Sequence, residues 1–343
     1  MRISTGRARK WVRRAVGRLE STGVVLMYHR IGEAASDPWG LCVSPKNFAE
    51  HLEVLRGQVH PLRVQGLTEA VRSRHLPRKA LAITFDDGYV DNLLYARPAL
   101  EKEDIPATVF VATGYIGGTR EYWWDDLERI LLQPGQLPET LELRVGDSEE
   151  RIELGAARTL TEEQVVGSQG WRLPAPPPTP RHALFHRVWQ RLYESASADR
   201  AETLSALAAW ASMTADPRPS VRPMTEAEIA SLGLDGFIEI GGHSVTHPSL
   251  PNCPTATQRD EIFDSRRRLE SILNRPVASF AYPHGDHDAS TEAYVREAGY
   301  SGACTTQPRA VRNRADPYRL PRCVVFNWDG DTFAKHLAGY WRC

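Results

Sequence analysis

One stretch of the sequence decides the fold. Residues 81–88 read Leu-Ala-Ile-Thr-Phe-Asp-Asp-Gly, a short apolar run that ends abruptly in two carboxylates and a glycine. The same pattern recurs along the chain at 24–29, 107–114, 237–243, 277–285 and 323–329. Short continuous apolar runs are typical of buried strands in parallel sheets. Polar residues placed just past strand ends are typical of (β/α) barrels.

Helical stretches separate several of these runs. They lie at 46–55, 91–103, 256–273 and 290–298. Strands that alternate with helices predict a parallel sheet covered by helices. We therefore expect an α/β fold in the form of a (β/α) barrel.

Length and composition are those of a folded globular protein. The chain has 343 residues, enough for about two domains or for one large barrel with insertions. Hydrophobic residues make up 41% and charged residues 25%, which excludes a disordered or coiled-coil chain. No apolar run approaches the roughly 18 residues of a membrane-spanning helix. The net charge of −1 gives no electrostatic case for nucleic acid as a partner.

The five cysteines are widely scattered and show no CxxC spacing. Neither a disulfide framework nor a cysteine zinc site is indicated. We therefore expect a protein of a reducing compartment.

Residues 1–22 form a basic arm, with six arginines and Lys10 against a single acid, Glu20. Arginines interrupt its apolar residues, so the arm lacks the core of a signal peptide, and we expect a cytoplasmic protein. The apolar residues share one helical face. Such a helix either lies on an anionic membrane surface or packs on the protein body with a solvated basic face, and the sequence leaves both open.

The segment at about 119–223 breaks the strand–helix rhythm and predicts an insertion. It contains a helical stretch at 124–132, strand-like stretches at 140–145 and 151–154, a proline-rich run at 174–180 and a long amphipathic helix over 184–213. Helical structure resumes at Thr225, for which Glu228 completes a predicted capping box. We expect one domain over 23–343, interrupted by this insertion.

Asp86 and Asp87 follow a predicted buried strand. Neighbouring side chains on a regular strand face opposite sides, so both carboxylates reach one site only if the chain turns, which Gly88 permits. Two close carboxylates take different roles when a cation binds one of them and the other transfers protons. A solvated Asp-Asp-Gly turn is the alternative interpretation.

His243 and His247 lie four residues apart, and one turn of chain brings both imidazoles to a common point. Pro248 follows directly and favours a loop or a helix end there. Two histidines and one carboxylate leave open positions for water, as in catalytic zinc sites. The preceding pair Gly241-Gly242 lets backbone approach closely.

Three segments are similar to the first three motifs of the polysaccharide deacetylase family, carbohydrate esterase family 4, with its NodB-like domain. They are Thr-Phe-Asp-Asp-Gly-Tyr at 84–89, His-Ser-Val-Thr-His at 243–247 and Phe-Ala-Tyr-Pro-His-Gly at 280–285. Leu-Met-Tyr-His-Arg-Ile at 26–31 resembles the circularly permuted branch, in which the first strand supplies a histidine usually found near the C-terminus. The resemblance covers about 23–118 and 224–325. It implies a distorted barrel of about seven parallel strands.

The resemblance also implies roles for individual residues. Asp87, His243 and His247 would bind a divalent metal, most often zinc in this family. Asp86 would be the general base that takes a proton from the attacking water, and His29 would protonate the leaving amine.

The third motif would supply further contacts. The backbone N–H of His284 would help to hold the oxyanion of an acyl transfer. The remaining residues that we assign to substrate binding are Tyr282, Pro283, Gly285, Trp123, Trp124 and Arg322. For the two tryptophans, a helix start packed on the barrel is the alternative.

One departure from the family pattern concerns the base. Many members begin the third motif with an arginine that orients the base, whereas Ala281 stands there in this chain and in the permuted branch. We expect Arg322 or Arg319 to replace that arginine.

The function implied is removal of an N-acetyl group from an amino sugar by a metal-dependent hydrolase without an organic cofactor. The absence of a signal peptide favours a glycolipid, a nucleotide-linked sugar or another biosynthetic intermediate as substrate over a finished wall polymer. A deformylase or other hydrolase of C–N amides on a small molecule is an alternative, as is a non-catalytic carbohydrate-binding domain. The last would be expected to lose at least one of Asp86, Asp87, His243 and His247, and all four are present.

Overall fold

A curled, mostly parallel sheet forms the centre of the computed structural model, which describes residues 21–117, 120–213 and 217–342. The strands in chain order are β1 Thr22–Tyr28, β2 Arg30–Ile31, β3 Cys42–Val43, β4 His60–Leu62, β5 Ala80–Phe85, β6 Ala107–Val111, β7 Gly135–Gln136, β8 Thr140–Val145, β9 Ser148–Glu153, β10 Thr159–Leu160, β11 Ile238–Gly242, β12 Ser279–Ala281, β13 Gly302–Cys304, β14 Val311–Arg312 and β15 Cys323–Val324.

Parallel pairing runs through the sheet in the order β15, β1, β5, β6, β11, β12, β13. The short β4 also pairs parallel with β5, and β14 pairs antiparallel with β1. A parallel bridge between Cys304 and Leu320 links β13 to the segment that leads into β15. The prediction of a distorted (β/α) barrel is therefore confirmed over the described residues.

The apolar runs form strands because both faces of the sheet are covered. Every residue of β5, β6 and β11 is buried, and β1 is buried after its first residue. In register, Tyr28 pairs with Phe85 and Gly242 with Val111. The carboxyl ends of these strands therefore meet along one edge, where the polar residues of the sequence pattern follow.

The helices cover this sheet and fill the connections. In chain order they are α1 Pro45–Leu55, α2 Val64–Arg72, α3 Arg97–Lys102 after a π-helical turn at Asn92–Ala96, α4 Trp123–Leu131, α5 Glu162–Gly167, α6 Pro180–Tyr193, α7 Ser197–Trp210, α8 Glu226–Gly233, α9 Thr255–Leu273, α10 Ala289–Glu297 and α11 Gly330–Tyr340. The predicted capping box at α8 is confirmed, because Thr225 accepts from the backbone N–H of Glu228 and the Glu228 carboxylate accepts from that of Thr225.

The segment from α4 to α7 has its own hydrophobic cluster, which includes Tyr122, Trp123, Trp124 and Phe185. The predicted strand-like stretches form an antiparallel hairpin of β8 and β9. The prediction of one long helix over 184–213 is wrong, because α6 ends at Tyr193 and α7 begins at Ser197. Arg200 holds this break by donating to the carbonyls of Leu192 and Ser195.

The predicted basic arm lies outside the described residues up to residue 20, and β1 begins at Thr22. None of the described helices is long and apolar enough to cross a membrane.

Candidate active site

A cavity of about 380 Å³ opens at the edge where the strands end. Residues that follow four strands contribute to its lining: His29 follows β1, Asp86 and Asp87 follow β5, His243 follows β11 and Thr306 lies just after β13. The lining also includes His247, His284 and the aromatic residues Trp39, Trp123, Trp124, Trp189 and Phe326.

Asp87, His243 and His247 converge in the floor of this cavity. Ligand atoms of the three side chains lie within 4.8 Å of one another. Asp87 Oδ1 is 3.6 Å from His243 Nε2 and 3.5 Å from His247 Nε2. All three residues are buried, and among the described residues Asp87 Oδ1 has no hydrogen-bond partner. A buried carboxylate oxygen without a donor is costly unless a cation or a proton meets it.

The loop after β11 is held so that both imidazoles face the carboxylate. His243 Nδ1 lies 2.8 Å from the carbonyl oxygen of Ala281, which leaves Nε2 directed at Asp87. The hydroxyl of Ser244 accepts from the backbone N–H of His247. Glu261 on α9 accepts from the backbone N–H groups of residues 245 and 246. The prediction of a loop before Pro248 is confirmed.

Several site residues have a backbone conformation that L-amino acids rarely adopt. Asp87, Ser244, His247 and His284 have φ values of 72°, 63°, 57° and 58°. Such φ values persist only where surrounding contacts enforce them, and they cluster at functional sites. At Asp87 this turn directs the carboxylate toward the two histidines, two residues after the extended strand β5 ends at Phe85.

Burial shapes the protonation of the cluster. It raises the pKa of Asp87 well above its usual value, and the nearby carboxylates Asp86 and Asp125 raise it further. It lowers the pKa of His243 to about 4 and that of His247 well below its usual range. Neutral imidazoles with a free Nε2 are what a metal requires of histidine. The residues present therefore fit a divalent metal ion.

Asp86 has different surroundings, because a buried arginine binds both of its oxygens. Arg322 Nη1 is 2.6 Å from Asp86 Oδ1 and Nη2 is 2.8 Å from Oδ2. Arg322 also donates to the Thr305 carbonyl and the Thr84 hydroxyl. Burial would raise the pKa of Asp86, but the arginine outweighs it and lowers that pKa to about 2.

The pairing of Arg322 with Asp86 corrects the assignment of Arg322 to substrate binding. It also distinguishes Arg322 from Arg319 as the replacement for the orienting arginine. Arg322 is fully buried behind Asp86, so it does not reach a ligand in the cavity as the substrate-binding assignment requires. Of the two arginines expected to replace the orienting one, Arg322 occupies that position. Arg319 instead lies on the surface and pairs with Glu292 at 2.5 Å.

The third motif is placed only partly as predicted. His284 lines the cavity beside His247, with ring centroids 4.5 Å apart. Tyr282 is fully buried away from it, stacked on His287 and donating its hydroxyl to the Tyr318 carbonyl, so its side chain does not line the cavity. Pro283 is also buried and outside the cavity lining.

Gly285 has a local structural role in the same turn. Its φ is 81°, and a Cβ there would lie 2.1 Å from the hydroxyl oxygen of Thr306. Only glycine fits this position, which keeps Thr306 at the cavity edge. Gly285 therefore shapes this turn and contributes no side chain to the cavity.

Trp124 belongs to a buried polar chain that sequence reasoning missed. Its indole N–H donates to the Tyr89 hydroxyl, which donates to Asp125 at 2.6 Å. Its ring packs against His247 with centroids 5.0 Å apart. Trp124 thus supports a candidate metal ligand while it lines the cavity, and Trp123 stacks toward Trp189 on the wall. In the sequence, the Asp-Asp pair at 125–126 that directly follows two tryptophans is the pattern that could have indicated this series of hydrogen bonds.

Fold and site together define an α/β barrel with a candidate metal centre at the ends of its strands. Comparison with known proteins agrees with this description of the fold. The family model for polysaccharide deacetylase matches residues 73–137 and 202–303. YxkH of Bacillus subtilis, named as a polysaccharide deacetylase, is 37% identical over 99 residues, which are 27% of this chain and 33% of that protein. The chain thus matches about a third of the length of this curated relative. Over these matched residues the chain is similar to the polysaccharide deacetylase family.

Solved structures show the same fold. The deacetylase PplD of Streptococcus pyogenes, determined with acetate, has a TM-score of 0.53 at 18% identity and covers 94% of this chain and 99% of its own. IcaB of Ammonifex degensii has a TM-score of 0.56 at 19% identity, with coverages of 94% and 98%. The supply of a site histidine from the first strand, as in the permuted branch, stays a prediction for His29.

Proposed function

We propose that this protein is a metal-dependent hydrolase that removes the N-acetyl group from an amino sugar in a glycan, glycolipid or other carbohydrate intermediate. One observation carries the proposal: a single cavity holds an Asp-His-His cluster fit for a divalent cation and, beside it, a carboxylate that a buried arginine keeps ionised. The match to the polysaccharide deacetylase family model supports the reaction class.

Asp87, His243 and His247 would hold the metal, for which zinc is our proposal. Such an ion, when bound, polarises the acyl carbonyl and makes a neighbouring water a better nucleophile. Asp86 would accept the proton of that water. Its Oδ2 lies 3.9 Å from His243 Nε2 and so borders the cluster, and its low pKa means that it is ionised, with free lone pairs to accept a proton, across the neutral range.

His29 would act on the leaving group. It lines the same cavity after β1 and is half-buried, and burial lowers its pKa. In its protonated form, an imidazole in such surroundings is a stronger acid than one in water, which suits protonation of the departing amine. The backbone N–H of His284, on the turn with positive φ, would donate to the oxyanion.

The test is release of acetate from N-acetylated amino sugars by zinc-loaded protein, with matched N-formylated sugars in parallel. We expect acetate release that depends on Asp86. Release of formate alone would favour a deformylase with the same proton-transfer groups. Absence of release from every substrate, with the metal bound, would favour a carbohydrate-binding domain without catalysis and contradict the proposal.

Residues 1–22 are proposed to contact anionic lipid at most peripherally and to take no part in the chemistry. Co-sedimentation with vesicles of phosphatidylserine, compared with neutral vesicles, tests this contact. Binding to neither kind of vesicle would show that the arm makes no lipid contact, and equally strong binding to both would contradict recognition of anionic lipid.

A further inference from the structure

Two short segments of the folded barrel are rich in basic residues. Residues 72–79 read Arg-Ser-Arg-His-Leu-Pro-Arg-Lys, and residues 312–314 read Arg-Asn-Arg, without an acidic residue in either segment. All six of their arginine and lysine side chains are exposed. We call these two segments together the basic edge.

The fold brings the two segments together at the amino ends of β1 and β5. The backbone N–H of Leu76 donates to the Asn313 side chain at 2.8 Å, which ties the first segment to the second. Arg312 pairs with Thr22, the first residue of β1. β5, which pairs parallel with β1, begins directly after the first segment. The basic edge therefore lies beside the amino ends of two neighbouring parallel strands.

Most of the cations on this edge are not neutralised by acidic side chains. Those without an ion pair in the part of the chain that the structure describes are Arg74, Arg78, Lys79 and Arg314. The acidic residues that flank the two segments in sequence are already bonded, Glu69 to Gln65 and Asp316 to Arg296. Like charges gathered on one face without counter-charges produce a local positive potential, whatever the net charge of the chain.

The basic arm leaves the barrel at this same edge. It runs up to Thr22, the partner of Arg312, and carries six arginines and Lys10 against one acid. Since the whole chain has a net charge of −1, the residues after the arm are acidic on balance, so the basic edge is a local departure from its surroundings. The apolar residues of the arm share one predicted helical face. Arm and edge together therefore combine cations with an apolar stripe.

This combination fits an anionic bilayer better than a nucleic acid. Cations beside an apolar stripe match anionic headgroups above acyl chains, and each Lys or Arg close to such a surface strengthens binding about fivefold. Proteins that hold single-stranded nucleic acid stack bases on aromatic side chains, and neither segment of the edge contains Phe, Trp or Tyr. A duplex offers an exterior of phosphates and nothing that would cover the apolar stripe.

We infer that the basic edge docks on an anionic lipid bilayer, with the arm beside it. This docking goes beyond the lipid contact proposed for residues 1–22, because it assigns lipid binding to the folded barrel, and it does not depend on the proposed catalysis. β1 has seven residues, so its carboxyl end, where the candidate active site lies, is about 20 Å from its amino end. The cavity is therefore at the end of the barrel away from the lipid.

Vesicle co-sedimentation compares charge reversal on the edge with charge reversal elsewhere. The 343-residue Arg78→Glu/Arg314→Glu protein should bind vesicles of phosphatidylserine and phosphatidylcholine at least about 20-fold more weakly than wild type, because two cations are lost. Lys46→Glu/Arg144→Glu is the matched control, with the same change of charge at exposed cations of α1 and β8, and it should retain wild-type binding. Rising salt should weaken wild-type binding, since it screens these charges.

Lysine acetylation tests the orientation on the wild-type protein, without any variant. Lys79 on the basic edge and Lys46 on α1 are both exposed. Lys46 lies at the other end of the barrel, because its neighbour Asn47 donates to Asn327 just after β15. We expect phosphatidylserine vesicles to slow the acetylation of Lys79 and to leave that of Lys46 unchanged, as measured by mass spectrometry.

The outcomes separate this inference from the other proposals. If the arm alone held the lipid, the Arg78→Glu/Arg314→Glu protein would bind like its control, which would overturn docking of the edge while the proposal for the arm stood. Equal acetylation rates at Lys79 with and without vesicles would overturn it too, as would edge-dependent binding to duplex DNA without binding to vesicles. None of these measurements involves acetate release, so failure of the proposed catalysis leaves the test intact.

Discussion

Asp86 and Asp87 are neighbours in the chain, yet their surroundings shift their pKa values in opposite directions. Arg322 holds Asp86 as an ionised carboxylate, whereas Asp87 has an unpartnered oxygen and a raised pKa. The difference arises because the chain turns at Asp87, whose φ is 72°. The two neighbouring carboxylates thereby suit the two different roles proposed for them, proton acceptor for Asp86 and metal ligand for Asp87.

Replacement of Asp86 by Asn removes the base and keeps the size of the side chain. We expect turnover of an N-acetylated sugar to fall on the order of 10²–10⁴-fold while zinc content stays at the wild-type level. Acetate release and metal analysis on the same sample measure both quantities. Asp235→Asn, at an exposed carboxylate that pairs with Arg97, is the control and should retain activity. Loss of zinc together with activity would identify Asp86 as a ligand instead.

Replacement of His29 by Ala removes the proposed acid. An amide leaves poorly unless its nitrogen is protonated, whereas an activated aryl ester departs without help. We therefore expect a large loss of kcat on N-acetylated sugars and a much smaller loss on an aryl acetate. His75→Ala, at an exposed histidine, should affect neither substrate. Equal losses on both substrates would show that His29 does not protonate the leaving group.

Removal of Arg322 leaves a buried carboxylate without its counter-charge. Arg322→Leu should lower the free energy of unfolding by about 3–5 kcal/mol, because breaking a buried pair costs more than replacing both partners. The double variant Asp86→Leu/Arg322→Leu should regain much of that loss. Urea denaturation of wild type, both single variants and the double variant measures the coupling. Additive effects would mean that the pair is not coupled in the folded state.

At the scale of elements, β11 brings the two histidines to the site and is packed unusually closely. A Cβ added at Gly242 would lie 2.2 Å from the Tyr300 hydroxyl, and one at Gly241 would lie 2.6 Å from the Phe110 ring. The glycine pair lets the side chains of Phe110, Phe280 and Tyr300 approach the strand end from which His243 projects. The position of the His243 imidazole therefore depends on glycine, which has no Cβ, at both residues 241 and 242.

Gly242→Ala should destabilise the protein by about 1–3 kcal/mol, the usual cost of overpacking a core. Gly66→Ala is a matched control in α2, where the nearest atom to an added Cβ is 3.7 Å away, and it should stabilise by about 0.4–1 kcal/mol. Thermal denaturation of the two variants checks the sign of both predicted stability changes. A neutral Gly242→Ala variant would show that Tyr300 can move aside.

The elements differ in how far the sequence predicts them. Strand ends and the α8 capping box are local patterns, so the sequence alone places them. The break between α6 and α7 was not predicted, because contacts of Arg200 to the carbonyls of Leu192 and Ser195 decide it. The Arg322–Asp86 pair joins residues 236 positions apart, and no local pattern distinguishes Arg322 from Arg319.

At the scale of the whole molecule, the site is assembled from the barrel and the insertion together. The barrel supplies the carboxylates and imidazoles, and the insertion supplies Trp123, Trp124 and Trp189 of the wall. A bound cation would tie the loops after β5 and β11 together, since Asp87 comes from one and both histidines from the other. Metal binding should therefore be measurable as stability of the entire fold.

Chelation of metal should lower the melting temperature, and zinc should restore it. Free zinc at 100 times its Kd stabilises the native state by about 2.7 kcal/mol. Differential scanning fluorimetry with EDTA and then with graded zinc measures the shift. His243→Ala/His247→Ala protein should show no response to zinc, whereas His336→Ala, at a histidine stacked on Trp328, should respond like wild type. A zinc shift that survives loss of both ligands would place the ion elsewhere.

The pairing of β1 with β15 also has a consequence for biosynthesis. β1 spans residues 22–28, but the strands that cover its outer edge, β14 and β15, lie at 311–312 and 323–324. At typical ribosomal rates of about 5–20 residues per second, that edge waits roughly 15–60 s for its partners. Throughout this interval a buried-type apolar strand remains open to pairing with other chains. We therefore expect the nascent polypeptide to need protection from such pairing until residues 311–324 have been translated.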